Sequence, residues 1–188
     1  MEKFRSAASR PARPSFPRPV PALDEYTTVT AGGIPFGLQR TRGRRANGAG
    51  MDVGYRFERS VCWSKSDVEN FASSVGDSNP LHHDEAFAAS SRFGGLIASG
   101  AQTVAHLMAL CASAPLGGRS GVGLEFNFRL VGPARPDDDI LLSWHVTAVE
   151  ESERPNGTIV TLAGDARGSD GRAIVTATAK TLLFRGPA

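Results

Sequence analysis

The chain has 188 residues, enough for one domain of ordinary size, and its 40% hydrophobic and 21% charged residues exclude a wholly disordered protein. The formal net charge is only +2, but residues 1–50 hold nine of the 21 Lys and Arg residues and three of the 19 Asp and Glu residues. A basic segment therefore precedes a mildly acidic remainder. This distribution does not indicate a nucleic-acid-binding domain, and no apolar run approaches the ~20 residues that a membrane helix needs.

Residues 1–50 are predicted to be a basic, Pro- and Arg-rich leader without a fold of its own. Prolines alternate with arginines between residues 10 and 21, a spacing that favours extended chain. Residues 51–186 are predicted to form a single domain. Cys62 and Cys111 lie too far apart for a C-x-x-C unit, so we expect two buried thiols rather than a disulfide or a metal site.

The first half of this domain is predicted to be mostly helical. A strand or extended arm over 55–63 is followed by a helix that Ser64 caps and that ends at Gly76. Asp84 is predicted to cap a short helix. The segment 100–111 is apolar over most of its circumference, which is typical of a buried helix.

The second half of the domain is predicted to be a sheet. Four β-rich runs of alternating character are separated by turn sequences, and they cover 123–131, 140–150, 158–167 and 173–184. Long antiparallel strands after one apolar helix indicate an α+β fold, in which a curved sheet wraps around that helix.

The segment between the first two helices carries the chemistry. Asp77 and His82 are five residues apart, and Pro80 restricts the backbone between them. Such a loop can direct a carboxylate and an imidazole at one water molecule, which suits the addition of water to a double bond. The alternative is a turn whose polar side chains only satisfy backbone amides, and spacing alone does not separate the two.

The wider sequence resembles one known family. Its pattern is an aromatic residue, then G-D-x-N-P-[LIV]-H, then a small residue six places after the histidine. This chain matches the pattern with Phe71, Gly76, Asp77, Asn79, Pro80, Leu81, His82 and Ala88. The sequence is thus similar to the MaoC-like dehydratases and (R)-specific enoyl-CoA hydratases over essentially 51–184. The resemblance implies the hotdog fold, a single domain with a long central helix.

The resemblance also implies roles for particular residues. Asp77 and His82 would be the catalytic pair that holds and deprotonates water and returns a proton to the α-carbon of the acyl thioester. Gly100, at the start of the central helix, would donate its N–H to the thioester oxygen. Ser99 and Asn79 are expected beside the substrate, with Asn79 shaping the loop. Neither a metal nor a separate cofactor is expected.

The resemblance therefore predicts a lyase of fatty acid metabolism, which adds water reversibly to a 2-enoyl-CoA and gives a (3R)-hydroxyacyl-CoA. A dehydratase or thioesterase acting on acyl-carrier-protein substrates is one alternative, and a non-catalytic acyl-binding subunit is another. We expect a cytoplasmic homodimer or higher homo-oligomer that binds neither nucleic acid nor membrane. The anionic CoA would meet basic side chains, for which the candidates are Arg92, Arg119, Arg129 and Arg135.

Overall fold

The computed structural model describes residues 52–114, 116, 119–153 and 156–185, so the prediction of a leader over 1–50 lies outside the described residues. The elements follow in chain order as β1 (Arg56–Val61), α1 (Lys65–Ser74), a 3₁₀ turn (Pro80–His82), α2 (Glu85–Ser90), α3 (Gly100–Ala112), β2 (Gly121–Leu130), β3 (Ile140–Ser152), β4 (Gly157–Gly168) and β5 (Ala173–Phe184). No helix among the described residues is long and apolar enough to span a membrane.

The five strands form one antiparallel sheet in the order β1-β3-β4-β5-β2. The central helix α3 lies against the sheet and buries Leu107 and Leu110 there. Trp144 of β3 is fully buried and donates its indole N–H to the carbonyl of Leu107 at 2.9 Å. The core is completed by apolar side chains from the other strands, among them Phe57, Leu142, Leu162, Ile174 and Val175.

The predicted α+β architecture is confirmed, and the predicted elements agree closely with the observed ones. Ser64 caps α1 in a capping box, in which its side chain accepts from the amide of Asp67 and the Asp67 carboxylate accepts from the amide of Ser64. Asp84 caps α2 by accepting from the amide of Phe87 at 3.0 Å. The strand predicted over 173–184 has the bounds of β5.

One prediction about the cysteines is wrong. Cys111 is buried, and burial raises the pKa of its thiol to about 11, but Cys62 is exposed. Alternation along the chain explains the difference, because Phe57 and Trp63 point into the core and Cys62 lies an odd number of residues from each. Strand geometry therefore outweighs the usual preference of cysteine for the interior.

Among the described residues other than glycine, Asp137 alone has a positive φ, of 64°. This left-handed conformation is unfavourable for a residue with a Cβ. We expect Asp137→Gly to increase the free energy of unfolding by about 0.5–1 kcal/mol and to raise Tm by about 2 °C in a domain of this size. The backbone hydrogen bond from Asp137 to Trp63, 2.7 Å long, needs no side chain and is kept.

The matched control for this substitution is Asp139→Gly. Asp139 is an exposed residue of the same loop and has no positive φ. A glycine there only increases the freedom of the unfolded chain, so Tm should fall. Thermal unfolding followed by circular dichroism measures both variants, and a lower Tm for Asp137→Gly would contradict the strain argument.

Candidate active site

The segment 76–84 leaves α1 in a tight loop and presents Asp77 and His82 together. Gly76 has φ of 74°, the left-handed conformation that ends a helix and turns the chain away. The amide of Asp77 then donates to the carbonyl of Ala72 at 2.8 Å, which ties the loop back to α1. At the other end of the loop, Pro80 begins the 3₁₀ turn that contains His82. The loop is therefore held at both ends by backbone contacts.

The carboxylate of Asp77 is held in an ionised form. Oδ2 accepts from the hydroxyl of Ser99 at 2.8 Å, and Oδ1 accepts from the amide of Asn79 at 3.2 Å. The Ser99 hydrogen bond, followed by the Asn79 amide, lowers the pKa of Asp77 below its usual value. About a third of the side chain is exposed, so the carboxylate is accessible to water.

The imidazole of His82 is buried and fixed in orientation. Nδ1 lies 2.8 Å from the carbonyl oxygen of Ile97. Since a carbonyl can only accept, Nδ1 carries the hydrogen, and neutral His82 has an unprotonated Nε2. Nε2 lies 3.3 Å from Oδ2 of Asp77. The pair thus places a proton-accepting nitrogen and a carboxylate within reach of one water molecule, an arrangement that suits acid–base chemistry. The catalytic role of the pair stays a prediction.

A cavity of about 320 Å³ begins at His82. Its walls are mostly apolar and come from the loop after α2, the start of α3, the end of β2, the loop that follows β2, and β5. They include Phe93, Ile97, Thr103, Leu130 and Ile174. Arg92 is the positively charged side chain in this lining, although the Arg135 guanidinium lies close behind it, bonded to the carbonyl of Phe93. An apolar cavity with a few polar groups at one end suits an acyl chain that carries a reactive head group.

Gly100 also lines this cavity, in the first turn of α3. The N-cap residue Ser99 makes no side-chain hydrogen bond to the helix, because its hydroxyl is directed to Asp77. The positive end of the α3 dipole is therefore left without a side-chain cap. A Cβ at position 100 would lie 2.9 Å from Leu130 Cδ1, so glycine also keeps this wall of the cavity open.

The remaining predicted site residues are placed as follows. Asn79 is exposed and accepts from the amide of Leu81 at 3.1 Å, so it shapes the 3₁₀ turn. Ser99 is buried and bonds Asp77; whether either residue touches substrate stays a prediction. Three contacts of the pair were not expected from the sequence, namely the Ile97 carbonyl on His82, the Ser99 hydroxyl on Asp77 and the His83 ring on Asp77. The expected absence of a metal and of a separate cofactor also stays a prediction.

We expect Ser99→Ala to raise the pKa of Asp77, because the hydroxyl makes the largest contribution to lowering it. A lowered pKa stabilises the folded protein above the pKa of the unfolded chain, and this contribution is lost as the pH falls through the folded value. The free energy of unfolding of the variant should therefore be lower than that of the wild type at neutral pH, and the difference should be smaller in acid. NMR titration of the Asp77 carboxyl carbon measures the shift, with the exposed Ser113→Ala as control. An unchanged pKa would show that the hydroxyl is not a donor to Asp77.

Comparisons with known proteins show the family of this chain. A family described as the MaoC like domain matches residues 46–165, more than half of the chain. A 3-hydroxybutyryl-CoA dehydratase from Methylorubrum extorquens is 34% identical over 114 residues, which cover 60% of this chain and 71% of that protein. The chain therefore belongs to the MaoC-like family and is an enzyme of the hydratase and dehydratase class.

Solved structures show the same fold. The (R)-hydratase from A. caviae involved in PHA biosynthesis has a TM-score of 0.64 and 28% identity, over 70% of this chain and 96% of its own. A MaoC-like dehydratase from Rhodospirillum rubrum has a TM-score of 0.64 and 32% identity, over 73% of this chain and 95% of its own. The predicted hotdog domain is confirmed by these similarities.

Proposed function

We propose that the protein adds water reversibly to a 2-enoyl-CoA and forms a (3R)-3-hydroxyacyl-CoA. The observation that carries this proposal is the 3.3 Å separation of His82 Nε2 and Asp77 Oδ2 beside an apolar cavity. The (R)-hydratase and the 3-hydroxybutyryl-CoA dehydratase among the similar proteins support this substrate class and stereochemistry.

In the proposed mechanism, one water molecule lies between Asp77 and His82. The low pKa of Asp77 makes its carboxylate a weak base that accepts one hydrogen bond from the water. Nε2 of His82 takes the other proton as the water oxygen forms its bond to C3. The C2–C3 π electrons move onto the thioester carbonyl, and the proton on Nε2 is then delivered to C2. Oxygen and hydrogen thus add from the same side of the double bond.

The negative charge that develops on the thioester oxygen requires hydrogen-bond donors already in place. We assign this role to the N–H of Gly100, at the uncapped start of α3. The helix dipole favours a negative charge at this point. Because Gly100 has no side chain, the carbonyl of the substrate can approach the backbone closely.

We further propose that the protein is a homodimer formed by pairing of two β2 strands. Strand β2 lies at one edge of the sheet, and its exposed apolar side chains include Val122, Leu124 and Leu130. An edge strand of this kind is suited to pairing with a second copy. Leu130 also lines the cavity, so a partner on this edge would lie next to the substrate. Sedimentation equilibrium tests this point, and a monomer at micromolar concentration would contradict it.

We propose CoA as the carrier of the acyl group, with Arg92 as the candidate contact to its phosphates. Arg119 bonds Thr158 and Arg135 bonds the carbonyl of Phe93, whereas the exposed Arg92 lines the cavity and packs on the ring of Phe93. A guanidinium at the mouth of the cavity is suited to the phosphates of CoA. Arg129 is exposed on β2 but does not line the cavity.

We expect Arg92→Glu to raise KM for crotonyl-CoA about tenfold and to change kcat little, because it reverses a charge that binds the substrate without reaching the reacting atoms. The N-acetylcysteamine thioester lacks the phosphates, so its turnover should not change. Arg167→Glu is the matched control, since Arg167 is exposed on β4 and pairs with Asp165. Equal KM values for wild type and Arg92→Glu would show that Arg92 does not bind CoA.

The decisive experiment for the function is a turnover screen over 2-enoyl-CoA chain lengths, with product analysis for the 3R alcohol and for free CoA. Free CoA as the main product would show a thioesterase instead. Faster turnover of acyl-carrier-protein thioesters than of CoA thioesters would favour an enzyme that acts on carrier-protein substrates. Activity only after addition of a second chain would favour a non-catalytic subunit. The cytoplasmic location stays a prediction.

A further inference from the structure

We propose that His83 is a positioning residue that fixes the main chain of Asp77 and thereby the carboxylate. The proposal rests on the proposed function, since it assumes that Asp77 takes part in the reaction. His83 directly follows His82, and the two rings hold the same aspartate at different atoms. His82 faces the carboxylate, and His83 faces the backbone carbonyl.

The contact that carries the proposal is short and has a defined direction. Nε2 of His83 lies 2.6 Å from the carbonyl oxygen of Asp77, and the His83 side chain is half-buried. Because the carbonyl can only accept, Nε2 is the donor, in the neutral and in the protonated ring alike. No other hydrogen bond to this carbonyl is found within the part of the chain that the structure describes.

The position of this bond in the loop explains why it matters. The amide of Asp77 is tied to Ala72, but Gly76 before it has the flexible left-handed conformation. Without His83, the carbonyl of Asp77 loses its hydrogen bond, and the peptide group that follows Asp77 is less restrained. A change in the orientation of this peptide group shifts the backbone of Asp77 and moves the carboxylate relative to Nε2 of His82. Displacements of about 1 Å cost a catalytic group up to 100-fold in rate.

His83 does not act on the substrate directly. It borders an open depression on the surface together with Asp77, Ser78 and Asp84, whereas the apolar cavity is lined by His82. His83 is not among the residues that line the apolar cavity proposed to hold the acyl group. Any effect of its replacement on the reaction passes through Asp77.

We expect His83→Leu, which keeps the volume and removes the donor, to lower kcat about tenfold and to leave KM for crotonyl-CoA unchanged. His83→Gln should restore most of kcat, because its amide nitrogen can donate to the same carbonyl. Both variants should unfold within a few degrees of the wild type. If His83 only stabilised the fold, its replacement by leucine would lower Tm, and the glutamine variant would not restore kcat.

The outcomes separate this proposal from the proposed function. Wild-type kcat for His83→Leu, with Asp77→Asn inactive, overturns the positioning role alone, whereas full activity of Asp77→Asn overturns both. Equal losses in the leucine and glutamine variants also overturn the role, since the donor would not matter. If His83→Leu does not fold, His83→Asn takes its place, because the shorter amide of asparagine does not reach the carbonyl. The kcat of His83→Asn is then compared with that of His83→Gln in the same way.

Discussion

Asp77→Asn is expected to lower kcat for hydration of crotonyl-CoA by roughly 10³-fold or more. The amide has nearly the shape of the carboxylate, so the loop should keep its conformation. The amide carries no negative charge. In the wild type, the carboxylate oxygen accepts from Ser99 and faces Nε2 of His82, and the variant places an N–H donor or a neutral oxygen at that position. The water molecule would then lose the acceptor that orients it. Steady-state kinetics at pH 7 measures the effect.

Asp139→Asn is the control for this substitution, because Asp139 is exposed in the loop before β3. It should have wild-type kcat. Circular dichroism and Tm of Asp77→Asn should resemble those of the wild type, which excludes unfolding as the cause of the loss. Substantial activity in Asp77→Asn would show that the carboxylate is not part of the reaction, and with it the proposed mechanism would fail.

His82→Ala is expected to abolish turnover to a similar extent, by roughly 10³-fold or more, since the group that transfers the proton is lost. The substitution also leaves the carbonyl of Ile97 without its donor and a space in a buried position. A decrease in Tm is therefore expected alongside the loss of activity.

His82→Gln distinguishes these two effects. Its amide fills most of the space and can donate to the Ile97 carbonyl, but it cannot accept and release a proton. We expect Tm to recover in His82→Gln and kcat to remain as low as in His82→Ala. His145→Ala, at a half-buried histidine of β3, should keep full activity. Recovery of kcat in the glutamine variant would mean that His82 only orients water.

Much of the fold could be predicted from the sequence because local signals agree with the tertiary structure. Ser64 and Asp67 define the start of α1 by a capping pattern, and the alternating runs define the strands. The prediction is less accurate where burial depends on distant elements. The apolar spacing along α1 predicts that Val75 lies on its buried face with Val68 and Ala72, yet Val75 is 55% exposed at the C-cap, where the chain leaves the helix.

That Asp77 and His82 lie together could also be predicted, since they belong to one short loop. Their supporting contacts could not be predicted, because these join residues that lie far apart in the sequence or involve main-chain atoms. Ser99 reaches Asp77 across 22 residues, and the carbonyl of Ile97 reaches His82 across 15. The segment before α3 lies against the loop, where the amide of Ile97 donates to the carbonyl of Leu81 at 3.2 Å, and this contact brings the groups together.

The use of carbonyl oxygens to hold the pair affects how such a sequence can diverge. Every amino acid supplies a backbone carbonyl, so the support that Ile97 gives to His82, and Ala72 gives to the amide of Asp77, does not depend on the identity of either side chain. Mutations at these two positions are limited by the volume and polarity of their surroundings and, at Ile97, by the shape of the cavity that it lines. Over evolutionary time, the scaffold around the pair can therefore drift to other apolar residues while the reacting groups keep their places.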